Sequence, residues 1–213
     1  MVFMDLDGCI IDSRDTIARA IAAVLYSNGI ASADHMEIEA AIGPPISVAF
    51  ETILQARGLD RSLVPRYVAE FRAAYGPISV GTTHLFPKMR EALKTLAART
   101  RLAIVTSKAQ QLATPIAENL QLFEYVDRIF APDAAQVDEP KTITLGRAIA
   151  HYQSVGGVMV GDRFHDIEAG KAHALSTLGV TWGNGSYQEL LEAGASSIVT
   201  APDDLAAAVF QLL

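Results

Sequence analysis

Residues 1–13 read MVFMDLDGCIIDS: an apolar run from Val2 to Met4 delivers two aspartates, Asp5 and Asp7, with only Leu6 between them. Gly8 follows, then a second apolar pair, Ile10 and Ile11, and then Asp12 and Ser13. If residues 2–5 form a buried strand, Asp5 stands at its carboxyl end, where open α/β sheets hold their ligands. Gly8 then lets the backbone turn sharply straight after the strand. Taken alone, Asp-x-Asp-Gly is also ordinary turn chemistry. Yet two carboxylates so close repel each other unless a cation or a shared proton compensates. The pair therefore points to a metal site, a nucleophile with an acid/base partner, or both.

Composition narrows the setting. A chain of 213 residues is long enough for one domain, or for a domain with a small insert, and it buries a proper core. Half of the residues are hydrophobic, but no apolar run approaches the roughly 20 residues that a membrane span needs. The first residues carry neither a basic region nor a cleavable apolar segment, and the lone cysteine, Cys9, cannot form an internal disulfide. A cytoplasmic protein with no membrane partner is expected. The net charge of −7 argues against nucleic acid as a partner, since that affinity depends on neutralising phosphates with Lys and Arg.

Periodicity divides the chain. Ile17, Ala20, Ile21, Val24 and Leu25 have helical spacing between Ser13, a plausible cap, and Gly29, a stop. Further helical patterns run over 36–42, 45–57 and 62–75, and the stretch GPISVG, residues 76–81, is expected to break the helical run. Residues 14–80 thus read as an all-helical insert, a cap, between the first strand and a core made of residues 1–13 and 81–213. In the core, short β-branched runs at 102–106, 126–131, 157–161, 175–181 and 197–200 alternate with helical patterns. Such alternation predicts an α/β fold with a doubly wound parallel sheet. Asp5, Thr106 and Asp162 then fall at the ends of different strands on one edge of that sheet.

Four segments give these positions a family resemblance. Asp5-Leu6-Asp7-Gly8 resembles the first motif of the haloacid dehalogenase-like phosphohydrolases, and Ile104-Val105-Thr106-Ser107 resembles their second. Lys141, opening KTITLGRAI, stands for their motif lysine, and Val158–Asp166, a strand followed by G-D-x-x-x-D, resembles their last motif. The resemblance spans nearly the whole chain. It implies a Rossmann-like core with an inserted cap and an Mg2+-dependent phosphatase acting through an aspartyl-phosphate.

On this resemblance Asp5 is the nucleophile, and Asp7 protonates the leaving alcohol and then takes a proton from water. Asp5, the main-chain carbonyl of Asp7, and Asp162 supply the ligands of Mg2+, while Asp166 is a supporting residue that holds a metal-bound water or orients Lys141. Thr106, Ser107 and Lys141 bind the phosphoryl group. The family commonly has Lys followed by Pro, whereas here Pro140 precedes Lys141 and Thr142 follows it, so Lys108 competes for the lysine role. Cys9 is expected to be a packing residue, having no activating partner.

The branches of the family separate on particular residues. Dehalogenases lack the second aspartate, so Asp7 points to phosphoryl chemistry. Residues 14–80 contain no lysine, which counts against the phosphonate-cleaving branch with its Schiff base. Ala41-Ile42-Gly43-Pro44-Pro45 resembles the cap loop of phosphoglycolate-phosphatase-like members, which implies that Gly43 and Pro44 face the substrate. The run TWGNGSYQELLEAGASSIV resembles the same branch, including members that are 5′-nucleotidases. The expected activity is hydrolysis of a small phosphorylated metabolite, phosphoglycolate-like or a nucleoside monophosphate, by a monomer or homodimer. A sugar-phosphate mutase of the β-phosphoglucomutase type, and a non-catalytic binding protein on the same fold, remain as alternatives.

Overall fold

The computed structural model describes residues 1–30, 37, 45–132 and 139–213, and the chain divides into two compact units, Met1–Asp12 with His84–Leu213, and Ser13–Thr83.

The first unit is built on a six-stranded parallel sheet. Its strands are β1 (Val2–Met4), β4 (Leu102–Val105), β5 (Arg128–Phe130), β6 (Val158–Gly161), β7 (Ser176–Val180) and β8 (Ser197–Val199). Their order across the sheet is β5-β4-β1-β6-β7-β8. The α/β doubly wound arrangement expected from the alternating pattern is therefore present. β1, β4 and β6 are buried along their whole length, which is why they appear in the sequence as short continuous apolar runs rather than alternations. Phe3, Ala103, Val105, Phe130, Leu145, Ala148 and Met159 form the core between the sheet and its helices.

The direction of the chain across the sheet reverses at β1: β4 and β5 lie on one side of it, β6 to β8 on the other. Such a reversal opens a crevice beyond the carboxyl ends of the central strands. Met4 is level with Ile104 on one neighbour and with Val160 on the other. Asp5 is thus level with Val105 and Gly161, and Thr106 and Asp162 stand one residue further out. A two-stranded antiparallel ribbon, β2 (Ile11–Asp12) with β3 (His84–Leu85), completes the unit. Two residues per strand carry too little pattern for sequence to signal it.

The described secondary structure of the second unit is helical. Helices Arg14–Ser27, Ile46–Ala56 and Val64–Thr82 bury Ile21, Leu25, Phe50, Ile53, Leu54 and Phe71. Phe50 meets Tyr67 and Phe71 edge-on, and Phe71 stacks on Tyr75 at 5.2 Å. The third helix corrects one expectation. It runs through GPISVG to Thr82, with Pro77 in its interior, instead of ending near residue 75. Phe71, Tyr75 and Ser79, four apart, are all buried, so one packed face carries across the proline. Tertiary packing here outweighs the roughly 3 kcal/mol cost of an interior proline. Among the described residues, no helix is long and apolar enough to cross a membrane.

Candidate active site

Asp5 leaves β1 with its backbone N–H donated to the carbonyl of Val160 at 2.9 Å, which seats it between β1 and β6. Asp7 lies in the turn that follows. Gly8 makes that turn with φ at +85°, and its N–H bonds to the carbonyl of Ile11 at 2.9 Å. A side chain at Gly8 would adopt a strained backbone and also run into the carboxylate of Asp162. Tight packing of the first turn on the last motif thus requires glycine.

Three buried carboxylates converge at this edge. Ligand atoms of Asp5, Asp162 and Asp166 lie within 4.8 Å of one another. Lys141, the first residue of helix Lys141–Tyr152, reaches into the group: its Nζ is 2.8 Å from Asp5 Oδ1 and 2.5 Å from Asp166 Oδ1. Asp166 Oδ2 accepts the backbone N–H of Arg163 at 3.0 Å, so both of its oxygens are engaged. The contact of Lys141 with Asp5 is an ion pair without hydrogen-bond alignment. Asp162 Oδ1 is buried with no hydrogen-bond partner among the described residues.

The electrostatics follow from this crowding. Burial and the neighbouring charge of Asp166 push Asp5 up to about 7, against the opposing pull of Lys141. Burial, with the charges of Asp166 and Asp5, pushes Asp162 up to about 8. Burial by itself would lower the Lys141 ammonium, but Asp166 and Asp5 together hold it above its ordinary value. The group has more negative charge than one lysine neutralises, and among the described residues neither Asp5 Oδ1 nor Asp162 Oδ1 has a hydrogen-bond partner. A divalent cation with oxygen preference, such as Mg2+, fits that donor set. Asp5 and Asp162 have the capacity to ligate it, while Asp166 is committed to Lys141 and to its helix.

The two candidate lysines take different places. Lys108 Nζ donates to both oxygens of Asp7, at 2.9 and 3.0 Å. Lys141 is the one at Asp5. Thr106, buried at the end of β4, donates its N–H to Phe130 and accepts the Lys108 N–H at Oγ1, at 3.1 Å. That bond shapes the Thr106–Lys108 turn. Cys9 is buried, with its thiol pushed well up by burial and by the charges of Asp5, Asp162 and Asp166, so it is no nucleophile at neutral pH. Gly43 and Pro44 lie outside the described residues, as does the helical pattern over 36–42 apart from residue 37.

One residue of the site carried no signal of its own. Asn184 donates its backbone N–H and its side-chain Nδ2 to Asp162 Oδ2, at 2.7 and 3.2 Å. It sits in the TWGNGS loop, where an asparagine between two glycines gives no local sign of a contact with a residue 22 positions earlier.

Lys141→Met tests the charge balance. Removing one partner of a buried ion pair costs about 3–5 kcal/mol. The metal-free variant should therefore unfold at clearly lower denaturant at pH 8. The loss should shrink at pH 5, where Asp5 and Asp162 take up protons instead. An unchanged midpoint at pH 8 would mean that Lys141 does not balance these charges.

The sequence of residues 2–180 matches the haloacid dehalogenase-like hydrolase family model. The chain is 30% identical to the "probable phosphatase IndB" of Dickeya dadantii, over all of this chain and 94% of that protein. It is 28% identical to the phosphoglycolate phosphatase of Yersinia pseudotuberculosis, over 85% of this chain and 81% of that one. The crystal structure of a "predicted phosphatase" from Clostridium acetobutylicum superposes with a TM-score of 0.90 at 25% identity, covering 99% of this chain and 98% of the other.

Proposed function

The chain belongs to the haloacid dehalogenase-like hydrolases and is a phosphatase, and on that premise we propose that it hydrolyses a small phosphate monoester with Mg2+, in the cytoplasm. The substrate class in this reading is a phosphoglycolate-like acid phosphate or a nucleoside monophosphate. The observation that carries it is the buried Asp5–Lys141–Asp166–Asp162 cluster, with its uncompensated charge and the unpartnered Asp162 Oδ1.

In this mechanism a carboxylate oxygen of Asp5 attacks phosphorus as the ester oxygen leaves. Asp7 gives its proton to that oxygen, releasing the alcohol and leaving an aspartyl-phosphate. Asp7 then takes a proton from the water that attacks the same phosphorus, which frees inorganic phosphate and regenerates Asp5. The Thr106 hydroxyl and the Ser107 N–H bind phosphoryl oxygens. Lys141 holds Asp5 in line, and Lys108 holds Asp7 by both of its oxygens. Asp5, the Asp7 carbonyl and Asp162 would hold Mg2+, which when bound would supply neutralisation of the charge that builds on the phosphoryl oxygens. Selection among esters is assigned to the helical insert.

A panel of about a hundred phosphate esters, assayed for phosphate release with Mg2+, tests the reading. The highest kcat/KM is expected for phosphoglycolate or a nucleoside monophosphate. Silence across the panel would overturn it. Conversion of a hexose 1-phosphate, primed with its bisphosphate, into an isomer without phosphate release would replace the hydrolase by a mutase.

A further inference from the structure

We propose that Asn184 is a positioning residue for the metal aspartate, turning Asp162 so that Oδ1 faces the carboxylate cluster and thereby setting the affinity of the site for Mg2+. The proposal rests on the metal-site reading above and deepens it.

The loop after β7 closes on the site from two directions. Trp182 Nε1 donates to the carbonyl of Cys9 at 2.9 Å, tying the loop to the turn that carries Asp7 and Gly8. Two residues later, both donors of Asn184 converge on a single oxygen, Asp162 Oδ2. Nothing separates the backbones here. A Cβ at Gly183 would overlap Gly8 O and Asp162 Oδ2, and one at Gly185 would overlap Asp162 O. The close approach that lets Asn184 reach Asp162 therefore depends on glycine on both sides of it.

This geometry distinguishes the two oxygens of Asp162. The residue is fully buried, so solvent offers Oδ2 no replacement partner. Turning the carboxylate out of this orientation would break two hydrogen bonds at once. A buried acceptor that loses its hydrogen bonds is disfavoured, so the carboxylate stays in the orientation that keeps them. Oδ1 meanwhile has no hydrogen-bond partner among the described residues, as befits a ligand atom. Hydrogen bonds that orient a metal-binding carboxylate typically change metal affinity about 10–100-fold when they are removed.

The experiment is titration calorimetry of the whole protein with Mg2+ alone, without substrate. It compares wild type with Asn184→Leu, which keeps the size but loses the side-chain donor, and with Asn184→Ala as a second variant that leaves room. Melting temperatures in chelator check the fold of each. The expected result is a Kd raised about 10–100-fold, with the metal-free melting temperature little changed. A merely structural role would lower the metal-free melting temperature and leave Kd alone, which overturns the proposal, as does a wild-type Kd in either folded variant. If the wild type itself binds no Mg2+ at millimolar concentration, the metal reading falls and this inference with it. Binding by wild type but not by Asp162→Asn, with unaltered Asn184 variants, would sink this inference alone.

Discussion

Asp5→Asn is expected to reduce phosphate release by about 10^4-fold or more, the scale on which loss of a covalent nucleophile is felt. The amide is nearly isosteric, but it lacks the anionic oxygen that attacks phosphorus. The fold should survive, because Lys141 keeps its 2.5 Å contact with Asp166 and the buried cluster loses one of its repelling charges. In metal-free protein at pH 8, Asn at this position should even melt no lower than wild type. Stopped-flow or steady-state phosphate release, with a melting curve alongside, measures both. Substantial turnover by a folded Asp5→Asn protein would exclude the aspartyl-phosphate route.

Removing the cation should have an effect of similar size on activity and a second, pH-dependent effect on stability. Asp5 and Asp162 bind protons more tightly in the folded protein than in the unfolded chain, with values of about 7 and about 8 against an ordinary 3.8. The stability they contribute is fully present below about pH 4. It is lost as pH rises through 7 and 8, where the folded protein must hold bare carboxylates. Mg2+ competes with those protons and repays more where they have already left. At a hundredfold excess over its Kd, a ligand adds about 2.7 kcal/mol, which in a chain of this size raises Tm by roughly 5–10 °C. Thermal melts in chelator should therefore fall between pH 6 and pH 8.5, and the gain from Mg2+ should be larger at pH 8.5. A metal-free Tm that rises over this interval would reverse the assigned protonation, and activity undiminished in chelator would remove the cation from the reaction.

The pairings within the site lay beyond any single stretch of sequence. That Lys108 goes to Asp7 and Lys141 to Asp5 and Asp166 depends on the loops that follow β4 and β5, and on strand order. Before the fold, the two lysines compete for one role. Afterwards each has its own carboxylate. Asn184 is the sharper case, since Asn between two glycines reads only as a turn until β7 lies beside β6 and brings the loop onto Asp162. The continuation of helix Val64–Thr82 through Pro77 is a third, decided by a buried stripe whose partners lie elsewhere in the helical unit.

By itself the sequence determined the α/β class, the parallel sheet and the family. Parallel strands buried on both faces must be short apolar runs, and a strand that ends in a functional residue must be followed by a tight turn such as Asp7-Gly8. Those are local requirements, written in neighbouring residues. Which carboxylate each lysine neutralises, which oxygen of Asp162 is left open and how far the third helix runs were decided only by the tertiary structure. Each depends on the close approach of groups far apart in the chain, and burial sets the strength of charge and hydrogen bond there in a way that no local pattern encodes.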